Sequence, residues 1–204
     1  MARVNNYLVQ AAQAKAHFLE YDQQKLIQKL KLRADEDWLY TPFMGQLHRI
    51  HRKTGDIFRQ EGTAWKDANS FEEVLTLLDL VCDSREDRFL TGRWKNLQSF
   101  GNQFHRNLLE DQESPFARAI QDHPEAFRGA CRALGGKEVK SADIAYSVEL
   151  FDGLPIGVFF WEGDEEFAPR IRYYLDENAA MYLRYETMQY AVGLLAEKIM
   201  ERMR

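Results

Sequence analysis

Asp152-Gly153 constrains this chain more than any other pair of residues. A two-residue type I′ hairpin needs positive φ at both central positions, and Asp-Gly is among the few dipeptides that supply it. The flanking residues fit. In Ile144–Phe151 the even positions are Ile144, Tyr146, Val148 and Leu150, and the odd ones include Ala145, Ser147 and Glu149. After the turn, Leu154–Trp161 is apolar on both faces, which predicts a central strand. Pro155 falls at its start, where a missing donor is tolerated. A regular ladder would then set Phe151 opposite Leu154, Val148 opposite Gly157, Tyr146 opposite Phe159 and Ile144 opposite Trp161, with aromatic pairs on one face. Arg170–Asp176 alternates again and predicts a third strand.

The rest of the chain supplies cover for that sheet. Helix-favouring residues run from Asn5 to Arg33, with Asp22 placed to cap a second segment after a bend. "WLYTPFMG" and "QLHRIHRK" read as strands, and Thr54-Gly55-Asp56 as a turn into a further strand at Ile57–Arg59. Ser70-Phe71-Glu72-Glu73 is a capping box, in which the Glu73 carboxylate would reach back to the Ser70 N–H. Phe71, Val74, Leu75, Leu78, Val81 and Cys82 follow at helical spacing. Residues 83–111 read as an ordered loop pinned by Trp94, Phe100 and Phe104. Ser114-Pro115 and Pro124 open short helices, and Gly135-Gly136 stops the second. Met188, Val192, Leu195, Ile199 and Met203 mark a C-terminal amphipathic helix. The expectation is an α+β fold: an antiparallel sheet with two β-hairpins covered by helices, an N-terminal helical segment over 1–34 and a core over 35–204, in a single domain.

Function is far less legible. The formal charge of −5 argues against a nucleic-acid binder, which needs a dense basic face. No apolar run is long enough to span a bilayer and no signal peptide is evident, so the reading is a soluble cytoplasmic protein. Zinc-binding, hydrolase and nucleotide-loop motifs are missing. His48 and His51, three apart on a strand, would point to opposite faces and cannot share a metal. No metal or cofactor is assigned. Arg49, Arg52 and Lys53 read as a solvated strand face or a seat for an anionic ligand. The candidate functional loop is Trp161, Glu162, Asp164, Glu165, Glu166 and Phe167. Its carboxylates are hard oxygen ligands, so three uses are open: a solvated turn, a Mg/Ca or acid–base site, and a docking knob. Asp176, at the far end of the third strand, is too distant to join them. Trp94, Phe100 and Tyr146 are candidates for an aromatic ligand pocket.

The segment "LFDGLPIGVFFWEGDEEFAPRIRYYLDENAAMYL" resembles the C-terminal signature of an uncharacterised prokaryotic family, domain of unknown function 3786. Trp161 to Phe167, Pro169, Asp176, Tyr182 and Leu183 carry the resemblance, with weaker blocks at 90–102 and 134–143. The resemblance implies no established activity. Some relatives carry a cysteine-rich segment suited to an iron–sulfur cluster and are linked to anaerobic or corrinoid metabolism. With only Cys82 and Cys131, this chain lacks the four thiolates a cluster takes. The functional expectation is a non-catalytic binding or accessory domain, beside a redox or corrinoid partner by family analogy, acting on an unknown protein or small molecule. The alternative is an enzyme of unrecognised type using the 162–166 carboxylates.

Overall fold

The described residues open with two helices that meet at a bend. In the computed structural model, which describes residues 6–68, 70–101 and 114–204, α1 spans Asn6–Glu20 and α2 spans Gln23–Leu30. Asp22 caps α2, its carboxylate accepting from the backbone N–H of Gln24 and Lys25. Five strands follow: β1 (Arg33–Ala34), β2 (Trp38–Phe43), β3 (Gln46–His51), β4 (Ile57–Glu61) and β5 (Ala64–Asp67). They pair antiparallel in sequence order as a first sheet. After α3 (Phe71–Asp83), β6 (Trp94–Asn96) leads into a 3-10 turn, Leu97–Phe100. The helices α4 (Pro115–Asp122) and α5 (Pro124–Ala133) precede β7 (Lys137–Glu138), β8 (Ile144–Phe151), β9 (Leu154–Trp161) and β10 (Arg170–Asp176). The last helix, α6, spans Tyr185–Met203. The second sheet has the order β6-β10-β9-β8-β7, also antiparallel, so β9 is central as its two apolar faces require.

The α+β class stands, with one enlargement. Instead of one sheet with two hairpins there are two sheets of five strands. The strands not read from sequence, β1, β5, β6 and β7, are two to four residues long and carry no periodicity of their own. Phe104 lies outside the described residues. No helix of the described residues is long and apolar enough to cross a membrane.

The helices pack on the inner faces of both sheets. Phe127 of α5 meets Tyr146 of β8 edge-on at 6.2 Å. His48 and Arg59 of the first sheet meet α3 through Glu73. The two sheets touch at their hairpin turns. Met44-Gly45 and Asp152-Gly153 both adopt positive φ, as two-residue hairpins demand. The Met44 N–H donates to the Leu150 carbonyl at 3.0 Å.

That contact corrects the expected register. Phe151 does oppose Leu154, but Glu149 opposes Pro155, so Leu150 is an unpaired bulge residue. Beyond it every pair shifts by one: Val148 faces Ile156, Tyr146 faces Val158 and Ile144 faces Phe160. Pro155 has no N–H to give the ladder, and the Leu150 carbonyl finds its donor in the other sheet instead. Leu150 and Phe151 are therefore both buried. A slip of one residue moves side chains to the opposite face. Phe159, expected opposite Tyr146, faces away from it and sits opposite Ala145 and Arg172.

Candidate functional site

The slipped register builds an aromatic surface on the outer face of the second sheet. Tyr146, Val158 and Tyr173 point inward across three strands, so Phe159, Trp161, Arg170, Arg172, Tyr174 and Trp94 share the outward face. The rings form a chain: Trp94 lies 5.7 Å from Phe159, which lies 4.6 Å from Tyr174 and 6.4 Å from Trp161. The Arg170 guanidinium stands 4.9 Å from the Trp161 ring, within cation–π range. Phe159 is buried beneath this layer, while Trp94, Trp161, Arg170, Arg172 and Tyr174 stay half-exposed. Gly157 makes room for the chain, because a Cβ there would stand 2.8 Å from the Phe159 ring and 3.1 Å from that of Trp94.

The acidic loop closes one end of this surface. Asp164 folds it: the carboxylate accepts from the backbone N–H of Glu166 and Phe167, both at 2.8 Å. Those two N–H groups hold its pKa below the usual carboxylate range. The Asp164 N–H donates to the Phe167 carbonyl at 2.9 Å, completing the turn. Gly163 is packed against Pro169, where a Cβ would lie 2.6 Å from the proline nitrogen. The loop is anchored from outside as well, by Asp143 on the Glu162 N–H and Gln121 on the Gly163 N–H. Glu162, Asp164, Glu165 and Glu166 are all exposed. Among the described residues, no group of three or more His, Cys, Asp or Glu side chains is placed to hold a metal ion. Asp176 is buried elsewhere, accepting from the backbone N–H of Thr91, Gly92 and Asn178. Trp161, Glu162, Glu166, Phe167 and Arg170 line a hollow of about 260 Å³. The Arg170 Nε on its wall is buried with no hydrogen-bond partner among the described residues.

The three residues of the candidate aromatic pocket are not brought together. Tyr146 is 1% exposed on the inner face, packed on Phe127. Trp94 belongs to the outer surface, across the sheet from it. Phe100 is half-buried, with the Lys95 ammonium 4.5 Å from its ring. The early basic cluster also disperses. Arg49 is held over Trp38 and Trp65 at 3.9 and 4.3 Å, Arg52 bonds Gln23 and the Asp35 carbonyl, and Lys53 pairs with Asp37.

A second polar centre lies where α3 and α6 meet the first sheet. Ser70 caps α3 by accepting from the Glu73 N–H at 3.1 Å, but the Glu73 carboxylate does not complete the capping box. It turns inward, 1% exposed, to His48 Nε2 at 3.0 Å, Arg59 at 3.1 Å and Lys198 at 3.3 Å. Burial alone would raise its pKa. The His48 hydrogen bond and the charges of Lys198, His48 and Arg59 outweigh burial and bring it down from 4.5 to about 2. His48 and His51 do point to opposite faces, His51 standing against Trp38. Two signals for this centre were present in the sequence: a carboxylate and an ammonium, Glu73 and Lys198, set within apolar helix stripes.

Cys82 and Cys131 are buried free thiols on separate helices, each pushed up to about 12 by burial. They do not fit an iron–sulfur cluster, which takes four thiolates. The model of a family described as "Domain of unknown function (DUF3786)" matches residues 22–198. Comparisons with curated proteins and with solved structures give no match.

Proposed function

Because the chain belongs to the domain of unknown function 3786 family, whose description carries no activity, we propose its function from its surface: an accessory domain that docks a protein partner on the outer face of the second sheet. One observation carries this reading. The aromatic cluster centred on Phe159, with Trp94, Tyr174 and Trp161 around it, runs into the hollow beside Phe167, where Arg170 Nε has no acceptor among the described residues. Outward faces of antiparallel sheets are ordinarily polar, whereas tryptophan, tyrosine and arginine dominate the energetic centres of protein interfaces. Phe167 is 69% exposed, an apolar side chain offered to solvent at the rim. The partner supplies an apolar side chain to the hollow, an oxygen acceptor to Arg170, and basic residues to Glu162, Glu165 and Glu166. The same reading takes residues 1–204 as one domain, in the cytoplasm, without a nucleic-acid ligand.

A photo-cross-linking residue at Tyr174, in cells expressing the chain, tests it. The expected result is a discrete cross-linked species, lost when Trp161→Ala and Arg170→Ala are added and not formed from the same probe at Gln60 of the first sheet. Identical patterns from Tyr174 and Gln60, or adducts indifferent to the two substitutions, would sink the proposal.

A further inference from the structure

Lys198 stands at the floor of a cleft of about 340 Å³ between α6 and the β4–β5 side of the first sheet. An ammonium carries three N–H donors, and the Lys198 side chain is 7% exposed. Its acceptors are Glu73 Oε1 at 3.3 Å and Gln46 Oε1 at 3.5 Å. Both distances lie beyond the usual range for N–H···O bonds, and no third acceptor reaches it among the described residues. Glu73 has little left to give: His48 shares Oε1, and Arg59 takes Oε2. Arg59 spends its Nε on Glu61 and its Nη1 on Glu73, which leaves further N–H groups of a five-donor fork. Donors therefore outnumber acceptors at the floor. The rim is acidic on balance. Asp67, Glu197 and Glu201 line the same cleft with Glu61, beside Arg202, whose Nη1 donates to the Lys198 carbonyl. Glu197, Glu201 and Arg202 are all exposed.

We propose that this cleft binds a small zwitterion of amino-acid size, its carboxylate received by Lys198 and Arg59 and its ammonium by the rim carboxylates of Glu197 and Glu201. The volume falls within the range of small-ligand pockets. The two charge zones select the ligand class. A phosphate would reach the floor past four carboxylates, Glu61, Asp67, Glu197 and Glu201, set against Arg202, and a polyamine would meet two cations at the floor. Only a molecule carrying both signs satisfies both zones. This site is independent of the sheet surface proposed for partner docking.

Thermal unfolding with the standard L-amino acids, one at a time at millimolar concentration, tests the inference. A ligand in tenfold excess over its Kd should raise Tm by roughly 3–6 °C. The C-terminal amide and the N-acetyl derivative of any active amino acid should lose the shift, and inorganic phosphate and spermidine should produce none. Lys198→Met should abolish the shift. Should that variant fail to fold, the double variant Glu197→Gln, Glu201→Gln decides, because both side chains are exposed. It should leave the unliganded Tm unchanged and weaken binding about tenfold, the measure of one lost ion pair. The inference is overturned if no amino acid shifts Tm, if the amide or phosphate works as well as the amino acid, or if the rim variant binds unchanged.

Discussion

Glu73 is a buried anion, and such an anion persists only where charge and hydrogen bonds replace the water it has lost. His48 from β3, Arg59 from β4 and Lys198 from α6 do so from three separate elements. Removing the carboxylate leaves Arg59 and the buried Lys198 beside His48 without their anion, so Glu73→Ala should cost about 3–5 kcal/mol in urea unfolding at neutral pH. The acid limb gives a second measurement. The folded-state pKa of about 2 lies below the ordinary 4.5, so the stabilisation is fully present above 4.5 and lost as pH falls toward 2. A shift of that size corresponds to about 3 kcal/mol. Wild-type stability should fall by that order between pH 5 and 2, with a distinctly flatter profile in Glu73→Gln. Parallel profiles for the two proteins would show that Glu73 is not held as an anion.

The W-E-G-D-E-E-F stretch shows what an element asks of its residues. Asp164 supplies the acceptor for two backbone N–H groups, and Gly163 allows the chain to close on Pro169. Those are two fixed demands in seven residues, while the glutamates remain free to meet solvent or a partner. Gly163→Ala would place a Cβ 2.6 Å from backbone nitrogen and 2.8 Å from the Phe167 carbonyl oxygen, and backbone yields little. A loss of about 1–3 kcal/mol is expected, as for other overpacked sites. Gly62→Ala is the control. There φ is +60° and a Cβ would meet nothing within 4 Å, so only the conformational cost of about 1 kcal/mol remains. Equal losses at the two positions, measured by chemical denaturation, would contradict the steric account.

At the scale of the molecule, two sheets share one set of helices and, among the described residues, are joined by one backbone hydrogen bond, between Met44 and Leu150. Gly45 packs so close to the end of α5 that a Cβ would lie 2.6 Å from the Leu134 carbonyl oxygen. With the buried network tying α3 and α6 to the first sheet, the two halves should unfold together. Single-tryptophan variants retaining Trp38 or Trp161 report on one sheet each, and their urea transitions should coincide with the loss of far-ultraviolet ellipticity. Separated midpoints would mean two folding units. Local signals in the sequence determined a great deal: the Asp22 and Ser70 caps, the Asp152-Gly153 turn, the central place of Leu154–Trp161 and the amphipathic last helix are each written in residues a few positions apart. Tertiary structure alone decided the bulge at Leu150, and with it the face on which Phe159 and Trp161 lie, because the donor that draws the Leu150 carbonyl out of the ladder comes from Met44, in the other sheet. It decided the fate of Glu73 for the same reason. A capping box satisfies a helix end locally, but His48, Arg59 and Lys198 converge from distant parts of the chain, and three partners outcompete one backbone N–H.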